Sequence, residues 1–227
     1  AADFIANSTS DYILLDRNAL NGAGDFTISI WGKTSNSGNQ ALVSGSSGSQ
    51  HNELIMWFPN STTFTPYLKG SSGGNISINN IADNQWHHFV WTRNGSQNCF
   101  YMDGMLQGCS TKTSSTLSIA SGGLILGQEQ DSLGGGFDIN QDWQGLADEA
   151  LVFSEAISAT TVTSIYNNTQ AGKNWDGSSR TCAADGVDHY AISHSNVGIT
   201  CEAETVTITA HDSSDSAVEP GNTVTMT

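Results

Sequence analysis

The chain has 227 residues, 37% of them hydrophobic and only 13% charged, and its 22 Asp and Glu against 7 Lys and Arg leave a formal charge of −15. Its longest apolar runs, LIMWF and HFVW, fall far short of the roughly 20 residues that a membrane-spanning helix needs. A charge of that sign repels phosphate backbones and anionic lipid, so nucleic acid and membrane surfaces are poor partners unless a metal intervenes, and cations are the natural counter-ligand.

Ser, Thr, Asn and Gly stand where charged residues usually would, which favours strands and turns over helices. At roughly 100–200 residues per domain, the length predicts one large all-β domain followed by a fragment of another. The opening AADFIANS lacks the charged-then-apolar pattern of a signal segment and reads as a mature or trimmed start.

Alternation of apolar and polar residues dominates from the start to about residue 153. It predicts strands at FTISIW (26–31), ELIMWF (53–58), WHHFVWT (86–92), NCFYM (98–102) and LADEALVF (146–153), separated by Gly, Ser and Asn turns. In FTISIW, Phe26, Ile28 and Ile30 share one face and Thr27 and Ser29 the other, as expected for an antiparallel sheet buried on one side. Cys99 and Cys109 flank an Asp103-Gly104 turn, and a three-residue hairpin loop would set them opposite each other for a disulfide, which implies an oxidising compartment. A short helix is predicted at 158–166, capped by Ser158, with Val162, Ile165 and Tyr166 at helical spacing.

After Asn167 the alternation stops. Residues 1–168 therefore read as one sandwich, 169–181 as a linker, and 182–227 as a partial immunoglobulin-like β-sandwich with strands in VDHYAISH, ETVTITA and NTVTMT. Cys182 and Cys201 are expected to pair across that second unit, and the chain reads as an excerpt of a larger extracellular protein.

The stretch most able to carry chemistry is 127–141, GQEQDSLGGGFDINQ. It places Glu129, Gln130 and Asp131 on a loop and returns Asp138 and Gln141 after a Gly-rich turn, with no Lys or Arg among them. Calcium takes six to eight oxygens from carboxylates, amides, carbonyls and water, and this loop can supply several. From spacing alone, an acidic solvated loop is the bland alternative.

The same residues resemble the calcium loop of the pentraxins. QHNELIMWF at 50–58 looks like the pentraxin segment that supplies the remaining ligands, and WQGLADEALVFSEAIS is similar to the closing strand of laminin-G-like jelly rolls. The resemblance covers roughly residues 10–168 and implies an all-β, concanavalin A-like antiparallel jelly-roll sandwich. It further implies that Asn52, Glu129, Gln130 through its carbonyl, and Asp131 hold one calcium, and that Glu129, Asp131, Asp138 and Gln141 hold a second. His51 stands where pentraxins place an acid, Asp138 where they usually have Glu, and the pentraxin disulfide joins other strands. Two calcium ions would outweigh the three carboxylates Glu129, Asp131 and Asp138, so the filled site would attract an anion or vicinal hydroxyls. The ligands the resemblance implies are carbohydrates or phosphate-bearing surface groups, with Trp57, Phe58, Tyr67 and Trp143 as aromatic candidates for stacking beside them.

The tail, QAGKNWDGSSRTC with VDHYAISHS and TCEAETVTITAHD, resembles the MshQ family of mannose-sensitive haemagglutinin pilus biogenesis proteins. That resemblance implies a bacterial envelope or extracellular setting with pilus components as partners. No catalytic pattern is found. Asp148 and Glu149 are neighbours that point to opposite faces of a strand and cannot flank one glycosidic bond, and neither a GxSxG elbow nor an HExxH helix is present. The expectation is a calcium-dependent, lectin-like binding module rather than an enzyme, with a structural spacer stiffened by calcium as the second reading.

Overall fold

The computed structural model describes residues 1–4, 8–112 and 115–180 and, beyond them, three short strands. The chain divides into two compact units, Ala1–Ser178 and Ser179–Thr227.

The first unit contains, in order, β1 (Ala2–Phe4), β2 (Ile13–Leu14), a 3-10 turn (Arg17–Ala19), β3 (Phe26–Thr34), β4 (Gln40–Gly45), β5 (Leu54–Asn60) and β6 (Thr63–Leu68). It continues with β7 (Ser71–Ser72), β8 (Ile76–Ser77), β9 (Trp86–Asn94), β10 (Gln97–Met102), β11 (Met105–Thr111), β12 (Leu124–Leu126), β13 (Gly145–Phe153) and the helix α1 (Ala159–Gln170). Two antiparallel sheets result. A six-stranded sheet runs β1-β13-β3-β9-β10-β11, and a second runs β2-β12-β4-β5-β6-β7 with β8 also paired to β6. The second unit contributes β14 (His189–Ser193), β15 (Thr207–His211) and β16 (Ala217–Val218), paired as a small antiparallel sheet. Cys182, Cys201 and the NTVTMT segment lie outside the described residues.

The core lies between the two large sheets. Phe26, Ile28 and Ile30 of β3 enter it from one side, and Leu54, Met56 and Phe58 of β5 from the other, so strand alternation has put one set of apolar residues inward on each. Phe58 meets Phe64, Phe89, Phe100 and Trp143 at ring-centre distances of 5.6, 5.4, 5.8 and 6.1 Å. These tilted and edge-on contacts are the favoured aromatic geometries.

The outer face of β3 is buried too, contrary to the one-sided burial that FTISIW suggests. Thr27 and Ser29 are fully buried. Thr27 Oγ1 donates to the Glu155 carbonyl and accepts the Ile157 N–H, which fastens the chain leading into α1 over that face. The helix itself begins where Ser158 accepts the Thr161 N–H and extends four residues past the expected end at 166, with Val162 and Ile165 buried. Trp31, His88 and Tyr166 of α1 pack as a mutually contacting triad, with ring centres 5.3, 5.6 and 6.1 Å apart. Residues 171–178, which have no alternation, fold back within the first unit and set Trp175 edge-on against Phe153.

Cys99 and Cys109 are bonded as directly opposed residues of β10 and β11. The route differs from a three-residue loop. Met102 pairs with Met105 across a two-residue Asp103-Gly104 turn whose φ values of 53° and 76° are those of a primed hairpin turn. A bulge between Phe100 and Tyr101 then shifts the register by one and brings Cys109 opposite Cys99.

The paired histidines of β9 occupy opposite environments. His87 lies between two carboxylates, Nδ1 at 2.8 Å from Asp103 and Nε2 at 3.1 Å from Asp83, and the hydrogen bond to Asp103 raises its pKa above the ordinary value. His88 is fully buried with Nε2 at 2.7 Å from Ser29 Oγ, and burial pushes its pKa down to about 4.

Two tests follow from this packing. The ten-residue separation of Cys99 and Cys109 predicts that Cys99→Ala/Cys109→Ala, or reduction, lowers stability by about 3 kcal/mol, measured by denaturant unfolding with and without reductant. His88 takes a proton in the unfolded chain near pH 6.5 but in the folded one only near 4, so its contribution is present above 6.5 and lost on acidification to about 4. Relative to His88→Leu, the wild type should therefore lose on the order of 3 kcal/mol over that window, read as the difference between two stability-versus-pH curves.

Candidate functional site

The outer face of the second sheet carries the site. Because Leu54, Met56 and Phe58 face the core, Ile55 and Trp57 of β5 face outward, and the pairing of Ile55 with Tyr67 sets the β6 tyrosine on the same face. Beside them a cleft of about 160 Å³ is lined by Asn52, Ile55, Trp57, Tyr67, Glu129, Asp131 and Gln141. The chain thus brings together residues from the entry to β5, from β6 and from both ends of the loop between β12 and β13.

That loop is pinned at its base by backbone hydrogen bonds. Gly127 N–H donates to Leu42 O, Trp143 N–H to Gly127 O, and Ala41 N–H to Gln141 O, each at 2.9 Å, where a bulge in β4 opens the ladder. The indole of Trp143 is fully buried in the core, so the loop that bears the acids ends in a hydrophobic anchor. Within the loop, Ser132 and Gly135 exchange backbone hydrogen bonds and close a tight turn.

Four of the six predicted metal ligands, Asn52, Glu129, Asp131 and Gln141, line the cleft. Asp138 is not among the lining side chains. Its Oδ1 accepts from the Asn140 N–H and side-chain amide, yet its charge still acts on Glu129. Gln130 separates into two parts. Its side chain is fully buried and turned into the protein, where Nε2 donates to Ser44 Oγ and Gly123 O at 3.0 and 2.9 Å, and Oε1 accepts the Gly134 N–H at 3.0 Å. Only its backbone carbonyl, between Glu129 and Asp131, is left for ligation. Of the aromatic candidates, Phe58 and Trp143 belong to the core, while Trp57 and Tyr67 are half-buried walls of the cleft. Ile55 was not foreseen in the lining. In ELIMWF both faces carry apolar residues, so alternation alone does not say which face turns outward.

The cleft is electrostatically unbalanced. Burial, with Asp131 and Asp138 nearby, pushes the Glu129 carboxyl up to about 7. Glu129 Oε2 and Asn52 Oδ1 are both buried without a hydrogen-bond partner, and no Lys or Arg lines the cleft. Such orphaned acceptors cost about 1–3 kcal/mol each, more when charged. A hard cation would satisfy an amide oxygen and a carboxylate oxygen together, so the residues present fit calcium. Among the described residues no three His, Cys, Asp or Glu side chains converge closely enough to hold a metal by themselves. A cation here would therefore draw on the amide oxygens of Asn52 and Gln141 and on backbone carbonyls as well as on Glu129 and Asp131.

Fold and cleft define a lectin-type jelly roll. Residues 7–163 match the model of the concanavalin A-like lectin/glucanases superfamily, and the chain belongs to that family. Over 158 residues it is 31% identical to the neuronal pentraxin receptor of Homo sapiens, covering 67% of this chain and 31% of the receptor. The chain thus spans about a third of that relative's length. It superposes on the native heptameric SAP-like pentraxin from Limulus polyphemus with a TM-score of 0.64 and 18% identity, covering 94% of this chain and 95% of that one. It also matches the Ruminococcus gnavus IT-sialidase CBM40 bound to α2,3 sialyllactose, with a TM-score of 0.54 and 14% identity over 72% of this chain and 96% of that one. Among the described residues no helix is long and apolar enough to cross a membrane.

The division of roles within Gln130 can be tested. Gln130→Ala keeps the backbone carbonyl but removes the donor to Ser44 Oγ and the acceptor of Gly134 N–H, while Gly123 O keeps the Ser46 N–H, so it should destabilise the protein by about 1–3 kcal/mol, measured by urea unfolding in chelator.

Proposed function

We propose that the chain is a calcium-dependent, non-enzymatic binding module of an extracellular or surface protein, whose ligand is a carbohydrate or a phosphate-bearing group. The observation that carries this reading is the pair of buried, partnerless oxygens, Asn52 Oδ1 and Glu129 Oε2, in an acid-lined cleft walled by aromatic rings. Asn52, Glu129, Asp131, Gln141 and the Gln130 carbonyl would hold calcium, with Asp138 adding charge from the loop behind. When bound, the ion supplies positive charge and open coordination positions for an anion or vicinal hydroxyls.

The chain's own residues then do the selecting. Glu129 and Asp131 orient the cation toward the cleft, and Trp57 and Tyr67 offer apolar faces on which a sugar ring or an alkyl headgroup can lie. Their hydroxyl and indole edges can hydrogen-bond the rim of the same ligand. The cleft's two carboxyl groups, Glu129 and Asp131, are assigned in this reading to the cation rather than to acid–base chemistry. The solved relative bound to sialyllactose supports a sugar as ligand on the same fold. The resemblance of the tail to the MshQ family supports a bacterial envelope setting in which pilus components are partners.

Calorimetric titration of calcium into chelator-stripped protein tests the reading. Calcium uptake that is lost in Asp131→Ala, followed by calcium-dependent binding of sialyllactose or phosphocholine, is the expected result. Uptake that raises the melting temperature without binding any member of a sugar and phosphocholine panel would make calcium a loop stiffener in a spacer. No uptake at millimolar calcium would overturn the proposal.

A further inference from the structure

We propose that the buried Glu53–Lys69 ion pair is a positioning device that presents the Asn52 side chain to the cation site, an inference that rests on the calcium reading of the cleft. Asn52 poses a physical problem. Its amide oxygen is buried and accepts no hydrogen bond, so nothing that touches the oxygen holds it in place. With no donor at the oxygen, its orientation depends on packing and on the backbone on which it sits.

That backbone is held from the opposite strand by an unusual turn. Beyond the pairing of Leu54 with Leu68, Lys69 N–H donates to Glu53 O at 3.0 Å and Gly70 N–H donates to Asn52 O at 2.7 Å. In a regular strand successive N–H groups point to opposite sides, so two neighbouring donors cannot both reach one partner strand. Here they do because Lys69 and Gly70 adopt left-handed conformations, with φ of 54° and 74°. Gly70 suits that region, and a Cβ there would strike the Gln50 amide. Lys69 does not suit it, since an L-residue with a long side chain rarely has positive φ.

The ion pair compensates. Lys69 Nζ contacts Glu53 Oε1, and the same oxygen accepts the Ser118 N–H. The Glu53 side chain is 2% exposed and that of Lys69 28%, so the carboxylate is held inside the protein by a cation reaching in from the surface. Glu53 follows Asn52 directly, and fixing its side chain at one end and its carbonyl at the other leaves the preceding residue little freedom. The pair lies outside the cleft lining and provides no ligand. His51, half-buried and also outside the lining, adds no negative charge on this side, so the contribution of the segment depends on where Asn52 Oδ1 is held.

A double variant, Glu53→Gln/Lys69→Met, removes both charges while keeping volume and an acceptor for Ser118 N–H, so the fold should persist. The expected result is calcium affinity weakened about tenfold or more, the range seen when an outer partner of a metal ligand is lost, with melting in chelator within a few degrees of wild type. In metal-free protein, the Asn52 side-chain amide signal in NMR spectra should be single and sharp for wild type and for Lys69→Arg, and broadened or doubled for the double variant. Unchanged calcium affinity together with an unchanged Asn52 signal would overturn the inference while leaving the calcium site standing. If wild type takes up no calcium, the calcium reading fails, and the Asn52 signal in metal-free protein still decides whether the pair positions that side chain.

Discussion

The packing of Phe58 between the sheets is the contact on which the rest of the molecule depends. Its ring meets Phe64 from its own sheet, Phe89 and Phe100 from the other, and Trp143 from the end of the acidic loop. Burying such a ring stabilises by about 2–3 kcal/mol, and its partners share the same volume, so the strand cannot slip without losing all of these contacts. A slip by one residue would exchange every inward and outward side chain of β5. Phe58 inward therefore means Trp57 outward, and the aromatic wall of the cleft is a consequence of the core.

Trp143 makes the same link for the acids. Its indole is in the core while its backbone N–H bonds Gly127 at the other end of the loop, so the fifteen residues from Gly127 to Gln141 are closed at their base before any ligand is considered. Closure brings Glu129, Asp131 and Gln141 to one place, and the Gln130 side chain turns inward to lock the loop against Ser44 and Gly123. The stored cost is the buried charge on Glu129, raised further by Asp131 and Asp138. Two buried acceptors without donors are what the proposed cation would satisfy.

Much of the fold was legible in the residues. Alternation in FTISIW, and short aromatic and β-branched runs in WHHFVWT and NCFYM, mark strands, and the helix announces itself by Ser158 and a change to helical spacing. Where the reading differed, tertiary covering was the reason. Thr27 and Ser29 look like solvent-facing residues and are buried, Thr27 because the chain around Glu155 and Ile157 crosses over it and Ser29 against the buried His88. The hairpin of Cys99 and Cys109 was legible as a pairing but not as a path, since a two-residue turn with a bulge and a three-residue loop place the same residues opposite each other.

The residue types proposed as oxygen donors stand in the sequence, because GQEQDS and the later Asp138 and Gln141 are side chains that suit a hard cation wherever the chain puts them. Which of them meet was decided only in three dimensions. Asn52 lies some 77 positions before Glu129 in the chain, and no local pattern brings them within reach. Register across β5 and β6 brought Tyr67 beside Ile55, the loop after β12 is tied to β4, the neighbour of β5, and the left-handed turn at Lys69 set the angle of Asn52. The physical reason is that local sequence governs the periodicity and turns of a single strand, whereas a binding site on a sandwich is made by neighbours across the sheet, whose alignment depends on burying the whole core at once.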